Sequence, residues 1–202
     1  MISVIKNMPD DIFQQRYLEH QARKAKILTS DYGIKKYKKY TKEEQRDFFE
    51  VLRNRCSQRV FNNGNIDTEP ILKAIETSPS SCGRKGVSVR VISDRKDKDI
   101  LSGLLVGGTG WCHRGDIILL LMADMNCYKN PAEVSFMPYL DAGVIIQTTY
   151  LTCEVLNYGC CYVNPNIREE NQEFFKKRFN ILDNELFCGA LILGQYSKKH
   201  KT

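Results

Sequence analysis

The 202-residue chain contains no long hydrophobic run. Its most apolar central stretch, "DIILLLMAD", falls well short of the roughly 20 residues a membrane-spanning helix needs. The opening "MISVIKNMPDDIF" lacks the extended apolar segment of a secretory signal. The setting expected from this is cytoplasmic, with no membrane partner. Zinc-ligand spacing is also missing: among eight cysteines there is no C-x-x-C, and only His113 adjoins a cysteine. No metal site is expected. A disulfide framework is equally poorly supported. Cys56, Cys82, Cys112, Cys127, Cys153, Cys160, Cys161 and Cys188 are scattered through a chain long enough to bury a core of its own, and they read as reduced, mostly buried thiols. No internal repeat is present.

What is present is the composition of an ordinary globular chain, with 42% hydrophobic and 27% charged residues and a formal net charge of +6. The cations gather in "IKKYKKY" (Ile34–Tyr40) and in the terminal "SKKHKT". Lys/Tyr interleaving is compatible with nucleic acid. A solvated basic arm accounts for it as well, and some of these cations could serve a phosphate. Nucleic acid is not the expected partner.

Two regions are expected: residues 1–40, an N-terminal helical arm ("DDIFQQRYLEHQARKAKIL") with a basic linker, and residues 41–202, a compact domain. In the second, "TKEEQRDFFEVLRNR" predicts a helix opened by a Thr41/Glu44 capping box and failing near Cys56–Ser57. "DTEPILKAIETS" predicts another, starting at Asp67 with Pro70 in its first turn. "VSVRVIS" alternates as a strand, "DKDILSGLLV" reads as a short helix broken by "GGTG", and "DIILLLMAD" as a strand buried on both faces. "MPYLDAGVIIQTTYLTCEVLNYG" is the longest helix candidate. Its apolar face would carry Leu140, Val144, Ile145, Thr148, Leu151, Thr152 and Val155, with Gly159 as its stop; so apolar a helix belongs at the centre or at an interface. "CCYV" and "LFCGALILGQ" read as strands and "EENQEFFKKRF" as an amphipathic helix between them. The fold class is α+β.

Four of these segments, in order, resemble the FMN-dependent nitroreductase family. "RNRCSQRVF" is similar to its R-x-S-x-R-x-F opening and "SPSSCGRKG" to its P-S-A-C-N-R-Q-P turn. "DAGVIIQTTYLTCEVLNYGCCYV" is similar to its D-A-G-x-x-x-Q helix and the strand after it, and "LFCGALILGQY" to its closing strand. The match runs over residues 41–197. The resemblance implies a nitroreductase-like fold, with a central, mostly antiparallel sheet flanked by helices and the long helix at a dimer interface. It also implies a homodimer holding FMN in clefts between subunits.

The same resemblance nominates binding residues. Arg55, Cys56, Ser57 and Arg59 come first; guanidinium forks and a hydroxyl suit a phosphate and a ribityl chain. Pro79, Ser80, Ser81, Gly83, Arg84 and Lys85 would meet the pyrimidine edge. Here the chain departs from the family: Gly83 replaces the usual Asn, and Lys85 and Gly86 replace Gln-Pro. Backbone N–H groups could substitute for the lost amide, and the Lys85 cation could favour the anionic reduced flavin and raise its potential; a helix-capping role is the bland alternative for Lys85. Tyr162, Val163 and Asn164 would lie near flavin N5, with Tyr162 in place of the commoner Trp. Lys198 and Lys199 are candidates for the cation that family members bring to the phosphate from beyond the last strand. Trp111 and His113 read as structural.

The function implied is an FMN-dependent oxidoreductase. Hydride would pass from NADH or NADPH to flavin N5 and on to a small electron-poor acceptor, such as a nitroaromatic or quinone, in ping-pong fashion, with no catalytic side chain. The alternatives are another reduced-FMN reaction (dehalogenation, dehydrogenation, flavin breakdown) and a non-enzymatic flavin-binding or basic partner-binding protein.

Overall fold

The computed structural model describes residues 10–29, 38–62, 64–128 and 134–196. The chain divides into two compact units, Met1–Lys42 and Glu43–Thr202. The first contributes helix α1 (Asp10–Thr29), which at 20 residues exceeds by one the central helix expected to be the longest. Its Tyr17 and Leu18 are exposed.

The second unit opens with α2 (Lys42–Asn54), then α3 (Glu69–Thr77), β1 (Val87–Ile92), α4 (Arg95–Leu104), β2 (Ile117–Asp124), α5 (Met137–Val155), β3 (Tyr158–Val163), α6 (Gln172–Arg178) and β4 (Glu185–Gln195). The four strands form one sheet in the order β1-β2-β4-β3, every neighbour antiparallel. The α+β class is as read from the sequence.

β2 explains why the sheet is the centre. Its residues Ile117 to Ala123 are all buried, as the uninterrupted apolar run requires. Strand periodicity then sorts the core by parity. Ile118, Leu120 and Met122 face one side, with Leu101 and Leu104 of α4 and Phe175 of α6. Ile117, Leu119 and Leu121 face the other, with Ile71 of α3 and Ala142, Ile145, Tyr150 and Cys153 of α5. Truncating any of these leucines to alanine costs about 2–5 kcal/mol. β4 carries an extra residue, Cys188, where the ladder passes from Leu121↔Gly189 to Met122↔Phe187.

Three features differ from expectation. α3 starts at Glu69 rather than Asp67; Asp67 stays outside and its carboxylate accepts the Glu69 N–H at 3.0 Å. α5 ends at Val155, and its terminator is Asn157 in the left-handed region (φ +57°), so that Gly159 lies inside β3. The third difference is one of face. The protein's own core takes Pro138, Ala142, Ile145, Thr149 and Cys153 of α5, whereas Leu140 and Val155 of the predicted stripe are 57% and 62% exposed. A helix apolar all round offers two faces, and the sheet covers only one. Among the described residues no helix is long and apolar enough to cross a membrane.

Candidate functional site

After α2 the chain runs alongside the sheet without becoming a strand. Gln58 N–H donates to the Cys160 carbonyl of β3 and Asn62 N–H to that of Gln195 on β4. This course lays Arg55, Ser57 and Arg59 over the junction of α5 and β3. The Arg55 guanidinium sits over the Tyr150 ring, 5.0 Å from its centre. Ser57 Oγ lies 3.1 Å from the Tyr150 hydroxyl, which also accepts the Tyr162 N–H at 2.7 Å. Arg59 sits 6.0 Å over Trp111, whose ring stacks on Phe61. Among the described residues neither guanidinium pairs with a carboxylate; aromatic faces hold both. Ser57, Tyr150 and Arg59 also converge on the Cys161 thiol, where burial pushes the pKa up against the pull of Arg59. Cys56 is exposed, and its sulfur accepts from Gln58.

The second cluster is the turn Ser78–Gly86. Cys82, Gly83 and Lys85 all adopt positive φ (+51°, +68° and +52°), a conformation that costs a non-glycine residue about 1–2 kcal/mol. The turn is pinned at each end. Buried Ser78 reaches the Thr148 hydroxyl of α5 at 2.9 Å. Ser81 N–H donates to Asp141 of α5 at 2.8 Å. Lys85 N–H donates to Ser80 Oγ at 2.8 Å, while Gly83 and Arg84 N–H close onto the Ser80 and Ser81 carbonyls. Four backbone N–H groups of the turn are thus committed within the chain. The Lys85 ammonium donates to the carbonyls of Glu76 and Ser78, capping the C-terminus of α3. Pro79, Cys82 and Gly83 face outward, and a side chain at Gly83 would meet nothing within 4 Å. Beneath the turn lies a cavity of about 480 Å³ walled by Leu72, Ile75, Val87, Val89 and Ile145.

The third segment is less uniform. Tyr162 is half-buried; its hydroxyl donates to the Cys188 carbonyl at 2.8 Å and its ring covers Gly189. Val163 is buried and Asn164 exposed. The glycine-rich stretch after α4 lies against them: Val106 N–H donates to the Asn166 carbonyl, and a Cβ on Gly107 would sit 3.3 Å from Val163. Trp111 is packed, its N–H on the Gly107 carbonyl, and His113 Nδ1 lies 3.4 Å from Ser102 Oγ. Lys198 and Lys199 lie outside the described residues.

Three residues that hold these clusters together, Tyr150, Asp141 and Tyr128, are not among the sequence-nominated ones. Asp141 and Tyr150 had a visible signal: they are polar positions on a helix otherwise rich in apolar residues.

No family model matches the chain. FMN reductase (NAD(P)H) of Bacillus subtilis strain 168 is 26% identical in an alignment 122 residues long that covers 54% of this chain and 48% of that protein. The chain thus spans about half the length of the curated relative it matches. Among solved structures, the nitroreductase family protein of Clostridium novyi NT superposes with a TM-score of 0.65 at 19% identity, covering 77% of this chain and 88% of that one. The FMN-dependent nitroreductase of Clostridium difficile R20291 superposes with a TM-score of 0.64 at 18% identity, covering 76% and 90%. The chain has the nitroreductase fold, as the four matched segments implied.

Proposed function

We propose that the protein is an FMN-dependent NAD(P)H oxidoreductase that works as a homodimer. The observation that carries this reading is the pair Arg55 and Arg59, held among the described residues on aromatic rings rather than by carboxylates, flanking Ser57 on a fold shared with an FMN-dependent nitroreductase. The residues fit the cofactor in kind. Arg55, Ser57 and Arg59 would hold the phosphate and ribityl chain, the Ser80–Lys85 turn would face the pyrimidine edge, and the Tyr162–Asn164 segment would back the ring. The chemistry supplied by bound FMN is a two-electron relay between NADH or NADPH and an electron-poor acceptor, a nitroaromatic or quinone, in alternating half-reactions. The chain's own part is to bind, orient and exclude water.

The dimer is favoured by uncovered apolar surface. α2 buries none of its residues, and its Phe48, Phe49 and Leu52 are exposed, as are Leu140 and Val155 of α5. A second copy would cover such surface.

The test is spectroscopic. The purified protein should carry or take up one FMN per subunit, and anaerobic mixing with NADH or NADPH should bleach the flavin band within a turnover. A colourless protein that takes up no FMN rejects the proposal.

A further inference from the structure

Asp141 is 5% exposed, and both carboxylate oxygens are engaged. Oδ1 accepts the Ser81 N–H and Oδ2 accepts the Tyr128 hydroxyl at 2.9 Å. Tyr128, 2% exposed, has its phenol pKa raised by burial first and by this bond second, which keeps the hydroxyl protonated as a donor. To reach Asp141, Tyr128 crosses the turn at Gly86. A Cβ on Gly86 would lie 2.8 Å from the Tyr128 hydroxyl and 3.0 Å from Cys127 Cβ. The glycine makes room for the phenol.

We infer that Asp141 is the positioning residue of the Ser78–Gly86 turn, which it holds through the Tyr128–Asp141–Ser81 brace. The turn has three left-handed residues, and a side chain at Gly83 would meet nothing within 4 Å, so an external hold helps to fix its course. Asp141 supplies it from the first turns of α5, the helix that also carries Thr148 and Tyr150. One helix thereby sets both the turn and the Arg55–Ser57 cluster. That the brace serves a flavin rests on the function proposed above.

The test uses the full chain, without and with FMN, in four forms: the parent, Asp141→Ala, Asp141→Asn and Tyr128→Phe. Hydrogen exchange followed by mass spectrometry reads the peptide spanning 79–86, with β2 and β4 peptides as internal controls, and fluorescence titration reads FMN affinity. Asp141→Ala should speed exchange across 79–86 about tenfold and weaken FMN binding by a similar factor, with β2 and β4 unchanged. Asp141→Asn, whose amide oxygen still accepts Ser81 N–H, should restore most of both. Tyr128→Phe should fall between them, and it carries the test if Asp141→Ala does not fold. The brace is overturned if exchange at 79–86 is unaffected, or rises equally in β2 and β4. Its service to the cofactor is overturned if the turn loosens while FMN affinity holds. If no form binds FMN, the functional proposal falls, and exchange in the cofactor-free protein alone decides the brace.

Discussion

The hydroxyl of Ser57 lies 3.1 Å from that of Tyr150, joining two residues 93 positions apart. The contact ties the loop that follows α2 to the middle of α5. The Tyr150 oxygen also accepts the backbone N–H of Tyr162, the first residue of the segment nominated to lie near the flavin ring. One phenol therefore fixes the relative placement of two of the three clusters.

Tyr150→Phe should separate those duties from packing. The ring remains for Arg55 to stack on, but the Tyr162 amide loses its acceptor. An unsatisfied, partly buried N–H costs about 1–3 kcal/mol. Urea unfolding should show a loss in that range, and FMN should bind several-fold more weakly. Unchanged stability would mean that water or another group takes over the amide.

Arg55→Ala should act on the ligand more than on the fold. The stacked cation contributes about 0.5–1 kcal/mol to stability, whereas a charge-assisted phosphate contact is worth more. FMN affinity should drop about tenfold or further, and riboflavin, which has no phosphate, should bind the variant and the parent equally. Arg55→Lys keeps the charge but not the fork and should lie between. Equal losses for FMN and riboflavin would place the arginine away from the phosphate.

The sequence showed the sheet and most helices because periodicity is a local property. The seven-residue buried run of β2 and the charged ends of α2 need no partner to be read. Arg55, Ser57 and Arg59 are nominated as a group only through the family resemblance. The sequence did not show what fills the space beneath them. Tyr150 and Asp141 act through contacts to residues 93, 12 and 60 positions away, and no local pattern encodes such distances. For Lys85 the sequence left a flavin contact and a helix cap open, and the cap is what forms, with the ammonium on carbonyls nine and seven residues back. How α5 divides between core and surface was hidden for a related reason. A helix apolar on most sides does not announce which face its own sheet will take.

Gly189→Ala tests the contact between β4 and Tyr162. Gly189 holds φ +115°, outside the range of L side chains, and an added Cβ would lie 2.5 Å from the Tyr162 ring carbon and hydroxyl alike. Backbone strain and overlap together should cost about 3 kcal/mol or more, read as a fall in the denaturant midpoint. Tyr162→Phe in that background should not restore it, because the ring carbons obstruct as much as the hydroxyl does. Full recovery in the double variant would show that only the hydroxyl is in the way.

Alkaline pH should destabilise the protein through the ionisation of buried thiols and a phenol. Burial, aided by Cys161, pushes the Cys112 thiol up to about 12, and burial pushes Cys188 up to about 11 and the Tyr162 phenol up to about 12. These groups are neutral when protonated, and the folded state holds their protons more tightly than the unfolded chain, whose thiols release theirs near 9 and phenols near 10. Above about pH 9 the unfolded chain binds fewer protons than the folded one, so stability falls with rising pH. Their contribution is complete below about pH 9 and is lost as pH climbs towards 12. Urea midpoints should therefore be flat between about pH 7 and 8.5 with respect to these groups and decline from about pH 9 to 10.5. Cys112→Ala should lower the midpoint throughout, because it leaves a small void, and make the alkaline decline shallower. A midpoint that holds steady or rises between about pH 9 and 10.5 in the parent would show that these thiols and phenols ionise in the folded protein as readily as in the unfolded one.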